Sequence, residues 1–349
     1  MHNFSTRLIT WQKQFGRHDL PWQNTTDPYA IWVSEIMLQQ TQVSAVIGYY
    51  AQFMQRFPDI KRLAQASQDD VLQYWSGLGY YSRARNLHKA AITIVQEHDG
   101  EFPQDFVTMQ TLSGIGRSTA AAIASFAFNQ VQTILDGNVK RVLARHFCIH
   151  GWPSSPKIEQ QLWSLAEALL PAKDMVAYTQ GLMDLGATLC TRSKPKCSVC
   201  PLNSTCEAYK QQCVHVLPTP KPRKVNPEKY TTMLILKHGD KVMLEKRPSA
   251  GIWGGLWSFP EVDCTDNASA MALNRFGIHA LSSATLPILS HAFTHFKLHI
   301  QPHVLTVLGS PKTVNDAGQK WLSIEEAVNA GIPTPVRKIL ISLQASVPA

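Results

Sequence analysis

Leu112-Ser113-Gly114-Ile115-Gly116-Arg117-Ser118 sits between two segments of helical periodicity, residues 104–110 before it and 117–128 after it. Two glycines in so short a turn let the backbone come close to a phosphate. The helix that follows offers free N–H groups and the positive end of its dipole. A glycine turn alone is more often a plain connection between packed helices. Its meaning comes from what lies downstream. Twenty residues past Gly116 stands a carboxylate, in Leu135-Asp136-Gly137-Asn138-Val139. Further on, Cys190, Cys197, Cys200 and Cys206 are spaced C-x6-C-x2-C-x5-C. Four thiolates at such spacing can hold an iron–sulfur cluster or a zinc ion.

Outward from these motifs the chain divides. At 349 residues it is long for one core, and two domains are expected. From Leu8 to about Lys210 apolar residues recur at helical spacing, and Asp27-Pro28 reads as an N-cap followed by a first-turn proline. Residues 216–227, rich in proline and basic side chains, read as a semi-rigid linker. Beyond it the periodicity turns to strands at 230–236 and 242–245 around the His238-Gly239-Asp240 turn, at 290–300, and at 321–323. Helices are expected at 267–275, 324–329 and 336–343. The fold class is multidomain: an all-α module over 1–212, a linker over 213–228, and a smaller α/β module over 229–349.

A formal charge of +8, with 44% hydrophobic and 17% charged residues, describes an ordinary globular chain suited to a polyanion. No apolar run approaches eighteen residues and no signal-peptide core is present, which predicts a cytoplasmic protein without a membrane anchor. In that compartment seven cysteines are not a disulfide framework. Cys148 and Cys264 read as buried structural thiols and Cys213 as a bystander.

Taken together and in this order, the Leu-x-Gly-x-Gly turn, the Asp-Gly-Asn-Val segment and the four-cysteine loop resemble the endonuclease III superfamily of helix-hairpin-helix DNA glycosylases over roughly residues 8–210. The resemblance implies a [4Fe-4S] cluster on Cys190, Cys197, Cys200 and Cys206. It implies phosphate binding at Gly114 and Gly116, with the hairpin at about 105–128 and the cluster loop at 190–206. It places Asp136 opposite the anomeric carbon, where a carboxylate stabilises the positive charge of a breaking glycosidic bond. Arg192, Lys194 and Lys196 in the cluster loop suit phosphate contacts. Bifunctional members carry lysine where Ser118 stands, because only an amine forms a Schiff base; serine there implies base removal without strand cleavage.

The segment around Glu35, Trp32-Val33-Ser34-Glu35-Ile36-Met37-Leu38-Gln39-Gln40, is similar to MutY-type adenine DNA glycosylases. A mid-helix glutamate is usually a surface charge, but a carboxyl on an apolar helix face has a raised pKa and can act as general acid. The resemblance gives Glu35 the protonation of the leaving purine. It gives Gln40 and Tyr80 the role of entering the base stack, and Leu20, Trp22 and Gln180 that of lining the adenine pocket. Trp22 alone would be read as core.

Residues 229–349 resemble a Nudix fold. Gly255 to Glu261 matches the opening of the Nudix box, but residues 269–274 lack every carboxylate the metal-binding helix needs, so hydrolysis of pyrophosphates is not expected. The retained fold is expected to recognise 8-oxoguanine through Phe293, Thr294 and His295. Regular alternation would put Phe293 and His295 on one face and Thr294 on the other, so a loop or bulge is expected there. His291 and His299 can equally be exposed strand residues.

These readings converge on a monofunctional enzyme acting on double-stranded DNA with an A:8-oxoguanine or A:G mispair, expected as a monomer in a bacterial cytoplasm with the nucleoid. A clamp or mismatch-repair partner is implied by the resemblance, though no motif locates one. Three rivals remain: an endonuclease III-like glycosylase/lyase, a Nudix pyrophosphatase, and a non-catalytic DNA-binding Fe–S protein.

Overall fold

The computed structural model describes residues 2–222, 225–307 and 318–345. The chain forms two compact units. One comprises residues 1–65 and 86–223, the other residues 66–85 and 224–349. Residues 66–85, expected within the helical module, thus cluster with the C-terminal part; Arg223 and Lys224 of the linker lie outside the described residues.

The first unit is helical. His2–Phe15, Pro28–Leu38, Val43–Arg56, Arg117–Phe128, Gly137–His146, Pro156–Ala168 and Met175–Asp184 are its longer helices within the unit. Asp27 caps Pro28–Leu38 through a bond from the Tyr29 N–H, with Pro28 at the first position. That helix, Pro-Tyr-Ala-Ile-Trp-Val-Ser-Glu-Ile-Met-Leu, is apolar nearly all round and accordingly buried; Ile31, Trp32, Val33, Ile36 and Met37 have almost no exposed surface. Glu35 is its one acidic group. A second core joins Leu8, Ala121, Ala122, Val139, Leu143, Leu162, Tyr178 and Leu182 from five helices. Each such side chain contributes about 1.5–3 kcal/mol by leaving water. The helix expected at residues 104–110 is shorter, Phe106–Met109, because Asp105 caps it through the Thr108 N–H at 2.7 Å.

The second unit is built on one sheet. β1 (Glu228–His238) and β2 (Lys241–Lys246) form a hairpin whose turn holds Gly239 at φ 60°. β3 is Trp257–Ser258, β4 Glu261–Val262, β5 Ala280–Thr285, β6 Leu289–Ala292, β7 Lys297–Val307 and β8 Gln319–Ser323. The strand order is β3-β2-β1-β7-β5, with β4 on β1, β6 on β7 and β8 on β2. β1 and β7 pair in parallel from Glu228↔Lys297 to Lys237↔Thr306, and the central run Thr232–Leu236 is buried, as a strand covered on both faces must be. The helices Ala268–Phe276, Ile324–Asn329 and Thr334–Ala345 complete the α/β unit. The helix Gln68–Trp75 belongs to it. Ser76 Oγ donates to the Ile332 carbonyl at 2.8 Å, Arg85 Nη1 donates to the Gly254 carbonyl at 2.6 Å, and Gly331 lies so close to Leu72 that a Cβ there would meet its backbone at 3.3 Å.

The segment 290–300 is not one strand. Ala292 pairs with Lys297, and residues 293–296 form a turn closed by the Phe293 N–H on the Phe296 carbonyl at 2.8 Å. Each arm alternates, but the phase slips by one residue across the turn, with His291 and Phe293 turned inward on the first arm and Phe296, Leu298 and Ile300 on the second. This turn is the loop expected around Phe293, Thr294 and His295.

Candidate active site

Glu35 stands where two cavities of the helical unit meet. One, of about 470 Å³, is lined by Leu20, Trp22, Ile31, Leu38, Gln180 and Met183 among others. The other, a cleft of about 1080 Å³, is lined by Gln40, Ser118, Asp136, Asn138, Arg141 and Arg192. Glu35, Leu38 and Met183 border both. The three expected pocket residues and the two expected catalytic carboxylates therefore share one connected space.

Each is placed by local chemistry. The loop after His2–Phe15 is held by Gln23, whose Oε1 accepts the Leu20 N–H at 3.0 Å and whose Nε2 donates to the Arg17 carbonyl at 3.0 Å. This fixes Leu20 and Trp22. Trp22 is nearly buried and meets Tyr50 edge to face at 5.4 Å, so it is at once core and cavity wall. Burial, and after it the charge of Asp136, together raise the Glu35 pKa from its ordinary 4.5 to about 8. No donor among the described residues relieves the Glu35 carboxyl, though part of its side chain still faces the cavity.

Asp136 is the N-cap of Gly137–His146: its Oδ1 accepts the Val139 N–H at 2.7 Å. Burial raises its pKa, while the bonds from Val139 and Asn138 and the charges of Arg141 and Lys140 pull it back. Ser118 Oγ accepts the Leu135 N–H at 3.0 Å, so this serine holds the backbone just before Asp136. That structural task was not legible in the sequence. Asn138 is also drawn in, its Oδ1 accepting Arg141 Nη2 at 2.8 Å. Arg141 also donates to the carbonyls of Gly186 and Cys190, each at 2.8 Å.

At the hairpin, Gly114 has φ 82° and its missing Cβ would come 2.8 Å from the Asn86 Cβ, so glycine is required on both counts. Gly116 caps Arg117–Phe128 without a side-chain bond and faces open space. Gln40 lies in left-handed backbone, φ 57°, at an exposed turn. In the second unit Tyr80 is also left-handed, φ 49°, and 44% exposed, beside Gly77 and Gly79 of positive φ. Non-glycine residues in that region are uncommon, and such backbone occurs at turns as well as at functional sites.

The four loop cysteines line one small hollow with Arg145, Leu189, Pro195 and Lys196. Cys190 closes a π-helical turn, Leu185–Leu189, through its N–H on the Leu185 carbonyl. Burial lifts the Cys200 thiol to about 12, and it lifts Cys197 and Cys206 as well. Four thiolates so placed demand a compensating cation. Arg145, 2% exposed, supplies part of that charge. Its guanidinium donates to Cys190 Sγ at 3.4 Å and to the carbonyls of Thr191, Arg192 and Leu217 at 2.7, 3.1 and 2.8 Å. Among the described residues no three Cys, His, Asp or Glu side chains form a preformed single-ion site. The all-sulfur donor set and its cationic neighbour suit an iron–sulfur group. Arg192, Lys194 and Lys196 are exposed. Two thiol readings are corrected: Cys264 is exposed, and Cys148 is only half-buried, held in left-handed backbone with its Sγ 3.5 Å from that of Cys213.

In the second unit, Phe293 stacks on Phe296 at 4.6 Å and touches Trp253 at 5.4 Å, while Thr294 and His295 are exposed on the turn. His291 packs on Trp253, and His299, half-buried, stacks on Tyr230 and bonds to Ser290, so His299 is not an exposed strand residue. Glu261, the acidic residue of the Nudix-box opening, is paired with Arg247, and the helix Ala268–Phe276 carries no carboxylate.

Residues 33–168 match the family model of the HhH-GPD superfamily base excision DNA repair protein, and residues 231–342 match that of the NUDIX domain. An adenine DNA glycosylase of Buchnera aphidicola subsp. Acyrthosiphon pisum is 38% identical over 345 residues, covering 99% of this chain and 98% of that protein. An adenine DNA glycosylase of Homo sapiens is 36% identical over 408 residues, covering 99% of this chain and 74% of that protein. Among solved structures, a thermostable thymine-DNA glycosylase superposes with a TM-score of 0.55 at 28% identity, over 60% of this chain and 95% of that one. With relatives matched along almost its entire length, a helical glycosylase module and a Nudix-like α/β domain, the chain belongs to the adenine DNA glycosylase family, hydrolases that act on N-glycosyl bonds.

Proposed function

We propose that this enzyme removes adenine mispaired with 8-oxoguanine or guanine, by hydrolysis and without strand cleavage of its own. The observation that carries this reading is the place of Glu35, shared by the cavity of Leu20, Trp22 and Gln180 and the cleft of Asp136, where burial and the Asp136 charge raise its pKa to about 8. Adenine turned out of the duplex enters the first cavity. Gln40 and Tyr80 hold the opened stack, and the backbone at Gly114 and Gly116 with Arg192, Lys194 and Lys196 holds phosphates.

Glu35 gives its proton to a ring nitrogen of the purine. The bond from N9 to the sugar breaks with its electron pair moving to the base, and the positive charge on the sugar is met by the Asp136 carboxylate. Water adds to C1′ and its proton returns to the Glu35 carboxylate, leaving an abasic site. Ser118 has no amine to capture the sugar, which fits a monofunctional enzyme. A [4Fe-4S] cluster on Cys190, Cys197, Cys200 and Cys206 would clamp the loop structurally. In the C-terminal domain Phe293, Thr294 and His295 present the contacts for the opposite base, Phe293 braced by Trp253 and Phe296.

One labelled duplex with adenine opposite 8-oxoguanine tests the reading, incubated without metal and resolved with and without alkali. Cleavage at the adenine only after alkali is expected. Strong cleavage without alkali would replace it with a glycosylase/lyase, and no base release by cluster-loaded protein would leave a binding protein.

A further inference from the structure

Asp184 is the only acidic residue among those described that is fully buried, and the reaction above gives it no task. It ends the helix Met175–Asp184 and lines neither cavity. Its Oδ1 accepts from Arg17 Nε at 2.7 Å and from Gln180 Nε2 at 2.8 Å, and its Oδ2 accepts the Arg17 backbone N–H at 2.9 Å. The chain is pressed close to it: a Cβ on Gly16 would fall 2.9 Å from Oδ2 and 2.5 Å from the Gln12 carbonyl. Arg17 and Gln180, the two side chains it holds, both line the cavity of Leu20 and Trp22.

The consequence lies in the Gln180 amide. A carboxylate paired with a guanidinium has no proton to give, so only the amide NH2 can face it. The amide oxygen is thereby left as the acceptor, and no protein donor among the described residues takes it up. Purines differ at the atom such an acceptor reads. Adenine carries an amine on C6, a donor, whereas hypoxanthine and guanine carry a carbonyl, an acceptor.

We propose that Asp184 is a specificity-determining positioning residue. By anchoring the Gln180 nitrogen it turns the Gln180 oxygen toward the cavity, and so selects a purine with a C6 amine against a 6-oxopurine. This rests on the reading of that cavity as the base pocket. A site built around a fixed acceptor rejects the isostere that brings a second acceptor, because both are left unpaired in a dry pocket.

The test compares single-turnover release of adenine and of hypoxanthine from duplexes alike in every other position. Asp184→Asn keeps the size of the anchor; an amide NH2 in the place of Oδ1 gives up the bond from Arg17 Nε and lets Gln180 turn over. The ratio of adenine to hypoxanthine rates is expected to fall about tenfold. In the double variant Gln180→Glu with Asp184→Asn, the asparagine nitrogen donates to the new carboxylate and an acceptor oxygen faces the cavity again; the ratio is expected to return toward that of the wild type. Gln180→Leu removes the acceptor without touching Asp184 and is expected to lower the ratio even if Asp184→Asn does not fold. An unchanged ratio in Gln180→Leu, or an equal loss of both rates in Asp184→Asn, overturns the proposal while leaving the base pocket in place. Wild-type protein that releases neither base sinks the pocket reading and this inference with it.

Discussion

The charge of Asp136 reaches the carboxyl of Glu35 across a cleft that both residues line, and it adds to burial in keeping the proton on the glutamate. Two carboxyls are thus given different conditions by different surroundings. Glu35 has no donor among the described residues, while Asp136 is bound by the free N–H groups of a helix start and faces Arg141 and Lys140. An acid and an electrostatic stabiliser can be made from like residues in this way.

Glu35 links activity and stability to pH. Its folded-state value of about 8 lies above its ordinary 4.5, so its contribution to stability is complete below pH 4.5 and is lost as pH rises through about 8. Glu35→Gln cannot ionise. Its melting temperature, relative to wild type, should rise by roughly 2–4 °C between pH 6 and pH 9. The same variant should lose about 10²- to 10⁴-fold in single-turnover rate. Wild-type activity should decline above pH 8. A melting difference that stays constant across that range would rule out the raised value.

Asp136→Asn separates the two duties of this residue. Asparagine is as good an N-cap as aspartate, so the melting temperature should stay within about 2 °C of wild type. The carboxylate is lost, however, and base release should fall by about 10²- to 10³-fold with duplex binding retained. Full activity in Asp136→Asn would remove the carboxylate from the reaction.

Ser118→Lys makes the opposite exchange. An amine placed before Asp136 should yield a DNA adduct that borohydride traps, which wild type does not form. Lysine has no acceptor for the Leu135 N–H, so the variant should also be less stable by about 1 kcal/mol. Equal stability in denaturant melts would show that the serine bond holds nothing.

Arg145→Met would strand the carbonyls of Thr191, Arg192 and Leu217 and leave Cys190 without its cation. A loss of at least about 3 kcal/mol is expected, together with a lower iron-to-protein ratio in purified material. Iron content equal to wild type would deny Arg145 its part in holding the loop.

The residues differ in how far the sequence announced them. Gly114, Asp136 and the four cysteines were legible only together, by their order and spacing, since a glycine turn or an Asp-Gly pair alone reads as a plain connection; the cap at Asp136 appeared with the structure. Glu35 by itself read as a surface charge, and only the resemblance of its segment gave it a role; its burial on an apolar helix is a finding of the structure. Asp184, inside Gly181-Leu182-Met183-Asp184-Leu185, went unread, since its partner Arg17 lies 167 positions away. Arg145 looked like a common basic residue near a helix end. The 290–300 segment read as strand with a loop or bulge near Phe293, Thr294 and His295, and the structure has a tight turn there at residues 293–296.

The sequence by itself therefore determined the two-module order, the glycine turn, the cysteine spacing and the loss of the Nudix carboxylates, all of which depend on neighbours close along the chain; that Asp136 caps a helix came with the structure. Only the tertiary structure decided that Glu35 is buried beside Asp136, that Ser118 holds Leu135, and that Asp184 orients Gln180. Those relationships arise from burial and from bonds between distant segments, and the dielectric and geometry that give them their chemistry exist only once the helices have closed around them.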